Sequence, residues 1–146
     1  MILSRQLSLV VTAVAMLGAC SSSSGPGNAV EVNVSGGSFE RIGTPAMATI
    51  PFSITNRGSA SVFVARCDTR VMTAVDRWNG ESWTDYSGDI CLGINTSIPL
   101  ELAPGESAIA NRSIHEPGRY RLRIGALDAA SGDVDWSIVS GQFEVL

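Results

Sequence analysis

Residues 71–86 read VMTAVDRWNGESWTDY, two β-prone runs on either side of Asn79 and Gly80. Asn followed by Gly supplies the left-handed backbone that tight hairpin loops demand, so this stretch predicts a β-hairpin carrying Trp78 on one arm and Trp83 on the other. Two registers are open. A two-residue loop sets Asp76 opposite Trp83 and puts both tryptophans on one face. A three-residue loop ending in Gly80 sets Arg77 opposite Glu81 and Val75 opposite Trp83, so that Trp83 enters the core and Trp78 stays at the tip. The second register pairs opposite charges and buries Val71, Val75 and Trp83 together, and it is the preferred one.

Working outward from the hairpin, Val30, Val32 and Val34 alternate with Glu31, Asn33 and Ser35. Ala48, Ile50, Phe52 and Ile54 share a face before a turn at Asn56 to Ser59. Further strands are expected from Ser61 to Arg66, Pro99 to Leu102, Ala108 to Ile114, Arg119 to Ala126 and Gln142 to Leu146, with Gly and Pro turns between them. Asp128 to Asp135 reads as a polar loop. Without helical periodicity anywhere in this part, seven to nine short strands predict an all-β, antiparallel, immunoglobulin-like sandwich over residues 30–146. The resemblance is to immunoglobulin-like and fibronectin type III-like modules. It includes Glu116, Pro117, Gly118, Arg119, Tyr120, which resembles a tyrosine corner and implies that the Tyr120 hydroxyl caps a nearby backbone group. A narrower resemblance, to bacterial intracellular proteinase inhibitor domains, rests on Phe52 to Asn56, Asn79 and Gly80 with Trp83, Leu102 to Ser107, and Pro117 to Tyr120.

The first 29 residues say where such a domain resides. Arg5 precedes an apolar run from Leu7 to Leu17, interrupted only by Ser8 and Thr12 and too short for a spanning helix. Leu17, Gly18, Ala19, Cys20 resembles the lipobox of bacterial lipoproteins. That resemblance implies residues 1–19 as signal peptide, acylation of Cys20, and stable membrane attachment through more than one acyl chain. Ser21 to Asn28 then reads as a flexible tether, with residues 20–29 linking anchor to domain. The expected location is the cell envelope. Ser21, not being Asp, favours the outer membrane in a cell that has two.

All ten basic residues are arginine against fourteen acids, a formal net charge of −4, and removing residues 1–19 takes away Arg5 alone. This acidity argues against a nucleic-acid partner. With Cys20 acylated, Cys67 and Cys91 are expected to form a disulfide bracketing the hairpin, in an oxidising compartment. The alternative, two free or metal-binding thiols, lacks a neighbouring His or third Cys to complete a zinc site.

Catalytic chemistry finds no constellation. His115 stands beside Glu116 in a turn with Ser107 and Ser113 near in sequence, but no nucleophile elbow or orienting aspartate accompanies them. Asp128, Asp133 and Asp135 around Ser131 and Gly132 do not follow calcium-loop spacing. The expected protein is therefore not an enzyme and requires no cofactor or metal.

Two surfaces are candidates for ligand binding. Arg119, Arg121 and Arg123 alternate with Tyr120, Leu122 and Ile124, which places three guanidinium groups on one outward face, with Arg112 joining them if its strand lies alongside. Such forks suit carboxylate, phosphate or sulfate groups. The other surface is Trp78 beside Tyr86, suited to a sugar or protein contact. The sequence thus predicts a membrane-anchored envelope module that binds a protein or glycan partner. A second reading is an exported inhibitor-like or chaperone-like protein that offers a loop or edge strand to its client.

Overall fold

Alternation in β3 (Ala48–Asn56) turns Ala48, Ile50, Phe52, Ile54 and Asn56 inward. In β11 (Gly118–Leu127) it does the same for Tyr120, Leu122, Ile124 and Ala126, and these two strands are the centres of two facing sheets. The computed structural model describes residues 29–89, 98–127 and 132–146. In the first sheet, β1 (Val30–Val34) and β10 (Ser107–Ile114) flank β3, all antiparallel. In the second, β11 is flanked on one side by β4 (Val62–Val64) and β7 (Thr73–Trp78). On its other side lie β12 (Val134–Val139) and β13 (Phe143–Val145). β8 (Trp83–Gly88) extends this sheet beyond β7, β9 (Leu100–Leu102) pairs with β4, and β2 (Ser38–Phe39) runs parallel to β13.

The expected antiparallel β-sandwich is the observed fold. Its core joins Ile50, Phe52 and Ile54 of one sheet to Val75, Leu122, Ile124, Ile138 and Phe143 of the other, all at most 2% exposed. Each such side chain contributes about 1.5–3 kcal/mol relative to leaving it in water. The thirteen strand segments among the described residues exceed the expected seven to nine because β2 and β12 are additional strands and irregularities break longer runs. The run from Val62 to Trp78 is interrupted by a small hairpin of β5 (Arg66–Cys67) and β6 (Arg70–Val71). The run from Val134 to Val145 is interrupted at Ser140, whose hydroxyl accepts from the Leu122 N–H at 2.9 Å and donates to the Gly141 carbonyl at 2.7 Å.

β12 corrects the polar-loop reading at its C-terminal end, since Asp135 already pairs with Ala126. Gly125 makes that pairing compact. A Cβ there would meet Val134 Cγ1 at 2.7 Å and approach Ala65 and the ring of Trp136 at 3.4 and 3.5 Å.

At one end of the sandwich, fully buried Asn56 ties three segments together. Its Nδ2 donates to the carbonyls of Ala60 and Leu102, both at 2.8 Å, and its Oδ1 accepts from the Gly58 N–H at 2.8 Å. The chain enters at this end, where the Ala29 carbonyl accepts from the Arg57 N–H. The signal segment, Cys20 and the tether to Asn28 lie outside the described residues, as does Cys91, while Cys67 closes β5. Among the described residues no helix is long and apolar enough to cross a membrane.

Candidate functional site

The hairpin adopts neither expected register. Trp78 pairs directly with Trp83, so the loop is the four residues Asn79 to Ser82. Asn79 explains the choice. Its Oδ1 accepts from the N–H groups of both Glu81 and Ser82 at 2.9 Å, while its own N–H donates to the Ser82 carbonyl at 3.1 Å. This side-chain-built turn requires a left-handed backbone only at Gly80 (φ 108°), whereas a type I′ turn requires one at Asn79 as well.

The register turns both tryptophans to the outer face, correcting the placement of Trp83 in the core. Ser87, not Trp83, opposes Val75. The two indoles lie 5.4 Å apart between centroids at 59°, each half-buried. Tyr86 does not join Trp78 as the sequence suggests. With Trp83 and Asp85 on the outer face, alternation along β8 turns Tyr86 inward, 5.2 Å from the ring of Tyr120.

The arginine strip does face outward, but it is charge-compensated. Arg121 lies opposite Asp76, whose carboxylate accepts from Arg121 Nε and Arg123 Nε, each at 2.9 Å. Asp76 is only 5% exposed on its side chain despite standing on the outer face, because the two guanidinium groups cover it. Arg123 also pairs with Asp85, and Arg119 stands 3.8 Å from Glu144. The Arg121 guanidinium lies 4.8 Å from the Trp83 ring centroid, a cation–π stack that joins the charged network to the aromatic pair. The outer face is thus a continuous surface of Trp78, Trp83, Arg121, Arg123, Asp76 and Asp85. The acids in it escape sequence reading because they reach the arginines through the β7–β11 and β7–β8 pairings.

Arg112 is not part of the strip. β10 belongs to the other sheet, and Arg112 shares the inward parity of Ala108, Ala110 and Ile114, a signal available in the sequence. It ion-pairs with Asp89 between the sheets, and Asp89 in turn accepts from the Thr73 N–H and hydroxyl, each at 2.9 Å. Arg112 Nε is buried without a hydrogen-bond partner among the described residues. A cavity of about 160 Å³ opens beside this cluster.

At the opposite end of β11 the tyrosine corner is present: the Tyr120 hydroxyl donates to the Glu116 carbonyl at 3.0 Å. Arg77 bridges to Glu116 at 2.7 Å and to the Pro117 carbonyl at 2.9 Å, with its guanidinium under 6 Å from the rings of Tyr86 and Tyr120. Burial pushes the Tyr120 phenol up to about 12, and the neighbouring Arg77 charge offsets only part of this.

His115 is exposed in the β10–β11 turn, where its carbonyl accepts from Arg41 at 3.0 Å. Asp128 and Ser131 lie outside the described residues, and Asp135 is engaged by the Ser137 N–H and hydroxyl at 2.9 and 2.7 Å. Among the described residues no three His, Cys, Asp or Glu side chains converge on a common metal position.

No protein-family model matches this chain, and no curated protein sequence matches it. Among solved structures it is similar to the Pseudomonas fluorescens alkylpurine DNA glycosylase bound to DNA containing an abasic site analog, at 15% identity and TM-score 0.39. That match covers 80% of this chain and 30% of the glycosylase. A β-glucosidase from Listeria innocua in complex with glucose is 14% identical at TM-score 0.37, over 80% of this chain and 16% of the glucosidase. A CARDB domain from Pyrococcus furiosus, in complex with di-metal ions, is 16% identical at TM-score 0.39, over 80% of this chain and 87% of that one.

Proposed function

We propose that this protein is a lipid-anchored envelope module that binds rather than catalyses, and that it contacts a glycan or protein partner of the envelope through Trp78 and Trp83. The observation that carries the reading is the tryptophan pair itself: two adjacent, half-exposed indoles held on paired strands, with the exposed Asp85 carboxylate on the same face. Indoles combine a large apolar surface with a polar edge and lose little conformational freedom on binding, which suits them to sugar rings and protein hot spots.

Position supports the same reading. The chain enters the sandwich beside Asn56, at the level where Phe63 pairs with Leu127. The tryptophans lie beyond the level where Arg77 pairs with Tyr120. At about 3.3 Å per residue along β11, the two levels are roughly 23 Å apart. A module acylated at Cys20 would carry its aromatic pair at the end remote from the tether. Acylation would hold the protein in the cell envelope, on the outer membrane where there are two, and a Cys67–Cys91 disulfide would pin the segment that leads into and out of the hairpin.

The protein purified in detergent micelles and applied to a glycan array is expected to give a signal that Trp78→Ala removes. No signal, or one that Trp78→Ala leaves intact, overturns the glycan version. Cys20→Ser is expected to abolish acyl labelling and membrane retention; retention in the membrane fraction overturns the anchor. A second reading, an exported protein offering an edge strand to its client, is favoured by one observation: β10 pairs with no described strand other than β3.

A further inference from the structure

We infer that the outer edge of β10 is a docking site for an extended, acidic peptide segment of a partner protein, which would add to the sheet as a strand beside Ile109, Asn111 and Ser113. This rests on the edge-strand reading and names the partner's chemistry. The Asn56 N–H donates to the Glu106 carbonyl on the β10 side of β3, while the Ser35 N–H donates to the Pro51 carbonyl on the β1 side. Alternation along an antiparallel ladder then directs the N–H and C=O groups of Ile109, Asn111 and Ser113 away from β3. β10 runs for eight residues without proline, and Ile109 is 86% exposed on it. A long edge with unpaired backbone groups is the template that strand addition uses.

Charge selects the occupant. Two cavities, of about 160 and 360 Å³, run along this edge, sharing Arg70, Val71 and Asn111 and bringing together Arg66, Arg70 and Arg112. Arg112 is neutralised by Asp89. Arg66 spends one donor on the Thr69 carbonyl, and neither Arg66 nor Arg70 pairs with a carboxylate among the described residues. On an acidic chain whose outer arginines are paired with acids, Arg66 and Arg70 of this edge keep their charge unmatched among the described residues. A second copy of the chain would bring β10 itself, whose one charged residue is Arg112, to a groove that is already cationic. Alternate carboxylates on an incoming acidic strand would instead meet guanidinium forks as its backbone joins the ladder.

The test uses the full protein in detergent micelles and two fluorescein-labelled octapeptides, one alternating valine with glutamate and the other valine with lysine. The glutamate peptide is expected to bind at least ten-fold more tightly and to slow amide exchange at Ile109, Asn111 and Ser113. Arg66→Ala with Arg70→Ala should weaken binding about ten-fold. Asn111→Pro removes an edge donor while leaving the β3 ladder intact, and should abolish binding. Equal binding of both peptides with edge protection overturns the acidic class and leaves the edge reading standing. Absence of binding, or binding without protection at β10, overturns both. Protection that appears with protein concentration alone makes a second copy the occupant and overturns the proposal.

Discussion

Tyr120 shows how one hydroxyl serves both local geometry and the response to pH. Its ring is fully buried against Phe143 and Tyr86, and its hydroxyl holds the Glu116 carbonyl at the entry of β11. Tyr120→Phe should cost roughly 1 kcal/mol near neutral pH, the net worth of an ordinary hydrogen bond. The phenol stays protonated in the fold up to about 12, against about 10 in the unfolded chain. The folded state binds this proton more tightly, so the stabilisation is complete below pH 10 and is lost as pH rises from 10 through 12. The loss is on the order of 2 kcal/mol. Urea unfolding of the native protein should therefore show an alkaline decline in this window that Tyr120→Phe largely removes. An unchanged decline in the variant would assign it to other groups.

Asp76 is the second residue on which much depends, because one carboxylate accepts from two arginines. Asp76→Asn leaves Arg121 and Arg123 facing each other, with Asp85 as their remaining counter-charge. Breaking a fully buried pair costs about 3–5 kcal/mol; arginines a quarter or more exposed are partly screened, so about 2 kcal/mol is expected here. Denaturation midpoints at low and high salt check this, and a neutral result at both would mean that water replaces the carboxylate without cost.

At the scale of elements, β3 and β11 were readable from residue types alone, because alternation through the nine residues of β3 and from Arg119 to Ile124 of β11 leaves one buried face. The tyrosine corner was equally legible, being a short local motif. The hairpin was visible but its register was not, since Asn79 builds the turn with its own side chain and thereby lengthens the loop. The inward Tyr86 follows from that register, since alternation from an outward Trp83 turns it to the core side, whereas Arg112 carries the inward parity of a strand that belongs to the other sheet. β12 was hidden because its pairing with β11 slips between Ile124 and Ala126, so that no clean alternation marks it. Gly125 lies at that slip. Gly125→Ala should cost about 1–3 kcal/mol by overpacking against Val134, measurable as a lowered thermal midpoint, and Val134→Ala should recover part of it.

For the molecule as a whole, the arginines on the two proposed binding surfaces divide into two electrical populations. Those of the β11 face are compensated by Asp76, Asp85 and Glu144; those of the β10 edge, apart from Arg112, pair with no carboxylate among the described residues. A ligand approaching the tryptophans therefore meets a field close to zero and finds its orientation by short-range fit. One approaching β10 is drawn in from as far as a Debye length, about 8 Å at physiological ionic strength. Encounter rates at the two surfaces should accordingly diverge with added salt, flat for the aromatic face and steeply falling for the edge. Stopped-flow association over a range of sodium chloride concentrations would distinguish them. With three arginines on each, the face whose charges are matched would be the slower, salt-indifferent door, and the edge that leaves Arg66 and Arg70 unmatched among the described residues would be the door that pulls.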